Sequence, residues 1–278
     1  MDLRVAFQGE PGAYSEAAAL GHFGPKTETV PCDSFEKVFQ AVCEGQVQRG
    51  LIPIENSLAG SIHRNYDLLL QNPLWVVGEQ YLQIHHCLIT LPGVRMEDIR
   101  KVISHPQALA QCDGYLRGLH GVQVEQVYDT AGSVKIMRDM GNPQVAAIAS
   151  KRAAEIYGMA VLVEGIEDRV ENFTRFLAIS TAPESPGKNA KTSIVFTLQN
   201  RPGSLFKALS VFSLRDIDLC KIESRPYPSR PWDYLFYIDF AGSTEEEGIQ
   251  RALGHLGEYA TMLRILGSYP RGVISGGL

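Results

Sequence analysis

The sequence predicts an α/β protein in two parts: a mainly parallel α/β domain over residues 1–181 and a smaller βαββαβ domain over residues 190–278. Two observations carry this expectation. Up to residue 180, strand-like and helix-like runs alternate, and one strand after another ends in a polar cap that starts a helix, the order that builds a parallel sheet. After Thr181-Ala182-Pro183-Glu184-Ser185-Pro186-Gly187-Lys188-Asn189, a linker by composition, the rhythm changes to strand, helix, strand, strand, helix, strand.

Val5-Ala6-Phe7 is a short apolar strand that runs into Gln8-Gly9-Glu10-Pro11-Gly12-Ala13-Tyr14-Ser15. The Ala-rich run 16–20 follows as a helix capped by Ser15 or a neighbour. A Gly-rich turn at a helix start offers free N–H groups and a positive dipole end to an anion; a tight βα turn without a ligand explains the same residues. It lacks the Gly-Lys-Ser/Thr of a Walker loop and the GxGxxG spacing. Asp33 and Glu36 stand at capping-box spacing, and Phe35, Val38, Phe39 and Val42 recur at helical intervals until Gly45.

Leu51-Ile52-Pro53-Ile54 is a strand that delivers Glu55-Asn56-Ser57 to its C-terminal end, where parallel α/β sheets bind ligands. A plain helix cap is the competing reading, above all for Ser57. Residues 75–90 run extended, with Gly78 as a bend, and could cross from one lobe to another. A strand at 101–103 leads to Ser104-His105-Pro106-Gln107, the start of a helix with Pro106 in its first turn. Its buried stripe is Ala108, Leu109, Cys112, Tyr115 and Leu116. A strand at 122–127 is followed by Asp129-Thr130 and the helix 131–140; 144–149 and 151–157 repeat the pattern. His105 and Gln107 read equally well as ordinary caps, and His85 and His86 as decoration of a strand.

In the second part, 192–198 is a strand, Asn200-Arg201-Pro202-Gly203-Ser204 a turn, and 205–214 a helix with Leu205, Leu209 and Phe212 on one face. Strands at 218–224 and 234–241 are joined by a Pro-rich connection. Thr244 caps a helix that runs to residue 256, and 261–266 is the last strand. A domain of this kind covers one sheet face with helices and leaves an edge that can pair with another copy.

Composition narrows the function. Hydrophobic residues make up 45% and charged residues 21%, enough apolar content for a proper core. The net charge of −5, without a long basic run, argues against nucleic acid as a partner. No apolar signal region opens the sequence and no stretch is long enough to span a bilayer, so no membrane partner is expected. Cys32, Cys43, Cys87, Cys112 and Cys220 are scattered and odd in number, which points to reduced thiols in a cytoplasmic protein. No His, Cys and carboxylate grouping has metal-ligand spacing, so no metal is expected.

The stretch Glu171-Asn172-Phe173-Thr174-Arg175-Phe176-Leu177-Ala178-Ile179-Ser180 reads as a strand apolar on both faces. Thr174, Phe176 and Ala178 share one face, and Phe173, Arg175 and Leu177 the other. A Thr and an Arg inside such a strand are costly to bury unless something pairs with them.

Taken in order, Gly9-Glu10-Pro11-Gly12-Ala13-Tyr14-Ser15, Pro53-Ile54-Glu55-Asn56-Ser57, Ser104-His105-Pro106-Gln107-Ala108-Leu109, Asp129-Thr130-Ala131-Gly132-Ser133, Asn172-Phe173-Thr174-Arg175-Phe176 and Glu223-Ser224-Arg225-Pro226 resemble the prephenate dehydratases that carry a C-terminal ACT regulatory domain. The resemblance covers nearly the whole chain. It implies a catalytic domain of two α/β lobes, similar to type II periplasmic binding proteins, with the active site in the cleft between them. The implied reaction turns prephenate into phenylpyruvate, water and carbon dioxide, in phenylalanine biosynthesis and without a cofactor. Thr174 is the catalytic residue the resemblance marks, hydrogen-bonded to the leaving hydroxyl. A threonine is a poor proton source, and Glu55, its pKa raised by partial burial, is the candidate acid. Asn56, Ser57, Ser104, Gln107, Thr130, Ser133, Arg175 and Phe176 are expected around the substrate. On a regular strand, however, Arg175 faces away from a cleft that Thr174 faces, and braces acidic groups from behind.

The regulatory resemblance implies inhibition by phenylalanine bound between two copies, hence a homodimer or homotetramer. Its expected ligands are Gly203, Ser204 and Leu205 with Glu223, Ser224, Arg225 and Pro226. Where the family commonly has Gly-Ala-Leu-Val, this chain has Gly203-Ser204-Leu205-Phe206, and the bulkier Phe206 could alter effector affinity. Two other readings stand beside this one: arogenate dehydratase, which acts on the amine counterpart of prephenate, and a non-catalytic amino-acid sensor.

Overall fold

The computed structural model describes residues 3–227 and 232–274. The chain divides into two compact units. The first is made mainly of the residues up to Tyr66 with Gln80–Phe176, and the second of Asp67–Glu79 with Leu177–Val273. The Pro-rich connection expected before residue 234 has residues 228–231 outside the described ones.

In chain order the elements of the first part are β1 (Arg4–Gln8), α1 (Tyr14–Phe23), β2 (Glu28–Cys32), α2 (Phe35–Cys43), β3 (Arg49–Asn56), β4 (Gly60–Ser61), α3 (His63–Gln71), β5 (Trp75–Gln83), β6 (Cys87–Thr90), β7 (Lys101–Ser104), α4 (Pro106–Gln111), α5 (Asp113–Arg117), β8 (Gln123–Gln126), α6 (Thr130–Met140), β9 (Val145–Ala149), α7 (Lys151–Tyr157), β10 (Ala160–Glu164) and β11 (Phe173–Ser180). They build two sheets and hence two lobes. One sheet has the order β2-β1-β3-β11-β5, with β4 paired to β3; the other has the order β10-β6-β9-β7-β8.

In the first lobe β1 runs parallel to both β2 and β3, and α2 lays Val38, Phe39 and Val42 on β1 and β3. The second sheet shows the period of two that burial on both faces demands. Ile89, Ile103 and Ala147 pack with Val134 and Met137 on one side, and Leu88, Val102 and Ile148 with Ile99 and Leu109 on the other. This sheet is mixed, which corrects the mainly parallel expectation. β7 is parallel to β8 and β9, whereas β6 is antiparallel to β9 and β10. β6 and β10 are the strands by which the chain enters and leaves this lobe, so they run against the βα units between them.

Local corrections follow from side-chain chemistry. Helix α2 is capped by Ser34, which accepts from Lys37 N, one residue after the expected Asp33. Helix α1 starts at Tyr14 behind Ala13, without a side-chain cap from Ser15. The single helix expected after His105 breaks at Cys112 into α4 and α5. Elements β2, α3 and β10 were not anticipated: β2 and β10 are half-exposed edge strands, and α3 follows Ile62, an apolar residue that gives no capping signal in the sequence.

Gly12 has φ +92, and a Cβ there would stand 2.7 Å from Ala153 Cα, so the turn before α1 can lie against α7 only as glycine. Ser150 Oγ, the cap of α7, donates to Gly12 O at 2.7 Å and fastens the two together.

The remaining elements are β12 (Ala190–Leu198), α8 (Ser204–Ser213), β13 (Leu219–Pro226), β14 (Tyr234–Ala241), α9 (Glu247–Tyr259) and β15 (Ala260–Pro270). This is the βαββαβ order, in an antiparallel sheet β13-β14-β12-β15. Helix α9 begins after Glu246 rather than at Thr244. Ile194, Phe196, Ile238 and Phe240 meet α8 and α9 through Phe212, Leu253 and Leu256. The other sheet face is polar where it meets residues 67–79 of the same unit. Lys191 Nζ pairs with Glu79 Oε1 at 2.6 Å, and Arg264 donates to the carbonyls of Leu70, Asn72 and Leu74.

Candidate active site

Two connections join the lobes, residues 84–86 outward and 165–172 on the return. They hydrogen-bond to each other: Ile84 N donates to Asn172 O at 2.7 Å and Gly165 N to His86 O at 3.0 Å. Strand β11 starts directly after the return, which sets Thr174 beside this paired hinge. A cleft of about 510 Å³ lies there, lined from one lobe by residues such as Asn56, Thr174 and Phe176 and from the other by His105, Gln107 and Thr130. That volume suits a small organic molecule.

Thr174 is 8% exposed. Its Oγ1 accepts a hydrogen bond from Asn56 Nδ2 at 3.0 Å. Asn56 cannot turn its amide round, because Oδ1 accepts from Leu58 N at 3.1 Å and from Ala59 N at 2.9 Å, while Nδ2 also reaches Asn172 Oδ1 at 2.8 Å. The threonine oxygen is therefore an acceptor already in use, and its own proton has no partner among the described residues. A hydroxyl held this way is a donor waiting for a guest.

Starts of helices α1, α2 and α6 reach the cleft through Tyr14 and Ser15, Ser34 and Phe35, and Thr130. Their unpaired N–H groups and dipole ends favour an anion. Asp129 caps α6, accepting from Gly132 N at 2.7 Å; burial raises its pKa, and that N–H bond pulls the other way. His105 caps α4 through Nδ1, which accepts from Gln107 N, and burial lowers its pKa.

Deeper in, the Tyr14 hydroxyl lies 2.6 Å from His85 O and 2.8 Å from His86 Nδ1, and His86 Nε2 lies 2.9 Å from Gln111 Oε1. Burial lowers the His86 pKa and raises that of Tyr14, so both are neutral near pH 7. Nε2–H then donates to Gln111, and Nδ1 shares the tyrosine proton with the His85 carbonyl. At the mouth, Arg64 Nε meets Glu36 Oε1 at 2.6 Å with both side chains about half exposed.

Of the expected site residues, Thr174, Asn56, Gln107, Thr130 and Phe176 line this cleft, and the others do not. Glu55, between Ile54 and Asn56 on β3, is not among the residues that line the cleft. Ser57 Oγ is spent on the start of β11, accepting from Phe173 N at 2.9 Å and donating to Glu171 O at 3.0 Å. Ser104 and Ser133 are fully buried and donate to the carbonyls of Ile148 and Thr130. Arg175 is buried outside the cleft lining, between the lining residues Thr174 and Phe176. The sequence reading passed over Tyr14, Arg64, Gln111 and, as mere decoration, His86.

In the second unit Ser204 and Leu205 line a small pocket of about 100 Å³ together with Trp232, Tyr234 and Phe236. Gly203, with φ +81, precedes α8. Glu223, Ser224, Arg225 and Pro226 lie along β13 and are not part of that pocket. Arg225 grips Asp67 through two bonds, Nε to Oδ1 at 3.1 Å and a terminal nitrogen to Oδ2 at 2.8 Å. Its guanidinium is thus engaged within the unit.

A family model described as prephenate dehydratase matches residues 5–184. The chain is 51% identical over 288 residues to Arogenate dehydratase/prephenate dehydratase 1, chloroplastic, of Arabidopsis thaliana, covering 98% of this chain and 73% of that protein. Among solved structures, a prephenate dehydratase from Arthrobacter aurescens in complex with L-Phe superimposes with a TM-score of 0.90 at 29% identity, covering 97% of this chain and 90% of that one. A structure described as GqqA, a novel type of quorum quenching acylases, gives 0.89 at 34%, covering 96% and 97%. The word chloroplastic also stands in the names of five further Arabidopsis relatives. These names contradict the cytoplasmic expectation, since the relatives that carry them are chloroplastic. Unpaired thiols indicate a reducing compartment but not which one.

Proposed function

The chain belongs to the prephenate dehydratase family, and from that premise we propose that it converts prephenate to phenylpyruvate, water and carbon dioxide in phenylalanine biosynthesis. Arogenate, which bears an amine where prephenate bears a keto group, is the second substrate in this reading, because relatives are named for both acids. The observation that carries the reading is the bond from Asn56 to Thr174, which leaves the threonine proton to the cleft.

The ring carboxylate and the ring hydroxyl leave together. Electrons of the bond to the carboxylate enter the ring, the carbon–oxygen bond breaks, and the departing hydroxide takes up one proton to become water. Aromatisation drives the step, and no cofactor takes part. Thr174 O–H donates to the leaving oxygen, where negative charge develops. The helix starts favour the doubly anionic substrate, while Phe176 and Ile84 flank the ring. A ring carboxylate stripped of water beside such walls loses carbon dioxide more readily.

Residues 1–181 form the catalytic domain in this reading and residues 190–278 an ACT regulatory domain. The βαββαβ order and the L-Phe in the Arthrobacter aurescens structure support it. Gly203, Ser204 and Leu205 of one copy and Glu223, Ser224 and Pro226 of another enclose phenylalanine, in a homodimer or homotetramer. Arg225 contributes by bracing β13 against Asp67. Such an effector acts by binding one arrangement of the enzyme better than another.

Turnover of prephenate and of arogenate, each with and without phenylalanine, tests the proposal. Formation of phenylpyruvate from prephenate, suppressed by phenylalanine, is the expected result. Folded protein inert toward both acids would overturn it in favour of a sensor.

A further inference from the structure

We propose that Glu36 and Arg64 together read the head group of the substrate side chain and bias the enzyme toward the amine-bearing acid, arogenate, over the keto acid, prephenate. The proposal rests on the dehydratase reading and adds the residues that discriminate within it.

The position comes first. Glu36 is the second residue of α2 and Arg64 the second of α3, and both line the cleft that holds Thr174. Their contact uses Arg64 Nε, at 2.6 Å from Glu36 Oε1. The two terminal nitrogens of Arg64 have no hydrogen-bond partner among the described residues. A guanidinium presents such nitrogens as a planar fork suited to a carboxylate.

The charge inventory comes second. Arg64 is the one Lys or Arg among the described residues lining the cleft, and the carboxylates lining it are Glu36 and Asp129. Asp129 is buried and occupied with Gly132 N. Glu36 is therefore the carboxylate open to a cation. Its pKa is lowered by its backbone hydrogen bond and by Arg64 and Ser34, so it stays ionised.

The chemistry follows. Both acids carry a ring carboxylate and a side-chain carboxylate, but arogenate alone adds an ammonium next to the latter. An α-amino-acid head group is a cation and an anion on one carbon, and a Glu–Arg pair is its mirror. Prephenate offers the same carboxylate to Arg64 but turns a keto oxygen, an acceptor, toward the acceptor oxygens of Glu36. Discrimination thus arises from attraction of one acid and repulsion of the other.

The test is kcat/KM for both acids with the full-length wild type, Glu36→Gln and Arg64→Met. Glu36→Gln is expected to lower the arogenate-to-prephenate ratio of kcat/KM about tenfold, as befits a charge-assisted bond at a half-exposed site. An unchanged melting profile is the control that the variant folds, and kcat/KM for prephenate is expected to fall less than that for arogenate or to rise. Arg64→Met is expected to raise KM for both acids alike. A ratio unmoved by Glu36→Gln, an equal loss of both activities, or an Arg64→Met enzyme with both KM values intact overturns the proposal. Wild-type protein that turns over neither acid defeats the dehydratase reading instead, so the two failures are told apart.

Discussion

Asn56 Nδ2 donates to Thr174 Oγ1 across 3.0 Å, and the other end of the same amide is fixed by the N–H groups of Leu58 and Ala59. One asparagine thereby decides which way a threonine proton points. The two residues lie 118 positions apart and meet because β3 and β11 are neighbours in one sheet.

Thr174→Ala is therefore expected to lower kcat on the order of 10²-fold, the usual cost of a lost donor at a developing negative charge. Thr174→Ser keeps the hydroxyl and should retain most activity. Asn56→Ala leaves the hydroxyl present but free to turn, and should fall between the two in steady-state assays. A Thr174→Ala enzyme with wild-type kcat and an unchanged melting profile would refute the assignment.

What was legible in the sequence was whatever repeats locally. Alternating strands and capped helices gave both sheets most of their elements, and Asp129 caps α6 as its spacing implied. Mixed strand direction was not legible, because direction depends on how the chain enters and leaves a lobe. Within the site, Thr174, Asn56 and Gln107 could be named from motifs. Ser57, Ser104 and Ser133 sit in the same motifs but spend their hydroxyls on backbone carbonyls and N–H groups, which neighbouring letters do not reveal. Arg64 and His86 were missed for the opposite reason: no pattern surrounds them, and only the folded chain brings them to the cleft.

Gly12→Ala tests the seam between the turn before α1 and helix α7. Its φ of +92 and the 2.7 Å approach to Ala153 Cα leave no room for a methyl group. A left-handed backbone and an overpacked contact together cost about 2–4 kcal/mol. A urea midpoint lowered by that free energy divided by the slope, with the slope itself unchanged, is the expected result; an unshifted midpoint would show that α7 can give way.

Lys191 and Glu79 form a buried pair, with side chains 4% and 0% exposed, and Glu79 Oε1 also accepts from Gly272 N at 2.9 Å. Removing one partner leaves a buried charge without its counter-ion in this pair. Lys191→Met alone should cost about 3–5 kcal/mol. Pairing it with Glu79→Leu should recover much of that loss, because the pair repays its own desolvation poorly. Chemical denaturation of the two single variants and the double variant measures the coupling. Additive losses would mean that the two charges act independently.

His86 supplies a prediction about acid stability. It is 1% exposed, and burial holds its pKa below the ordinary value, although Gln111 and Glu167 pull it upward. In the unfolded chain the imidazole takes a proton near pH ~6.5. Between that point and the lower folded value the unfolded state binds more protons, so acidification favours unfolding. The stability due to neutral His86 is thus complete above pH ~6.5 and is lost as pH falls toward the folded pKa, at up to about 1.4 kcal/mol per pH unit. His86→Gln removes this titration while His105, lowered for the same reason, remains in both proteins. The variant should therefore start less stable near neutrality and lose Tm more slowly than the wild type on acidification. Parallel Tm curves over that range would show that His86 takes its proton as readily folded as unfolded, contrary to its burial between Tyr14 and Gln111.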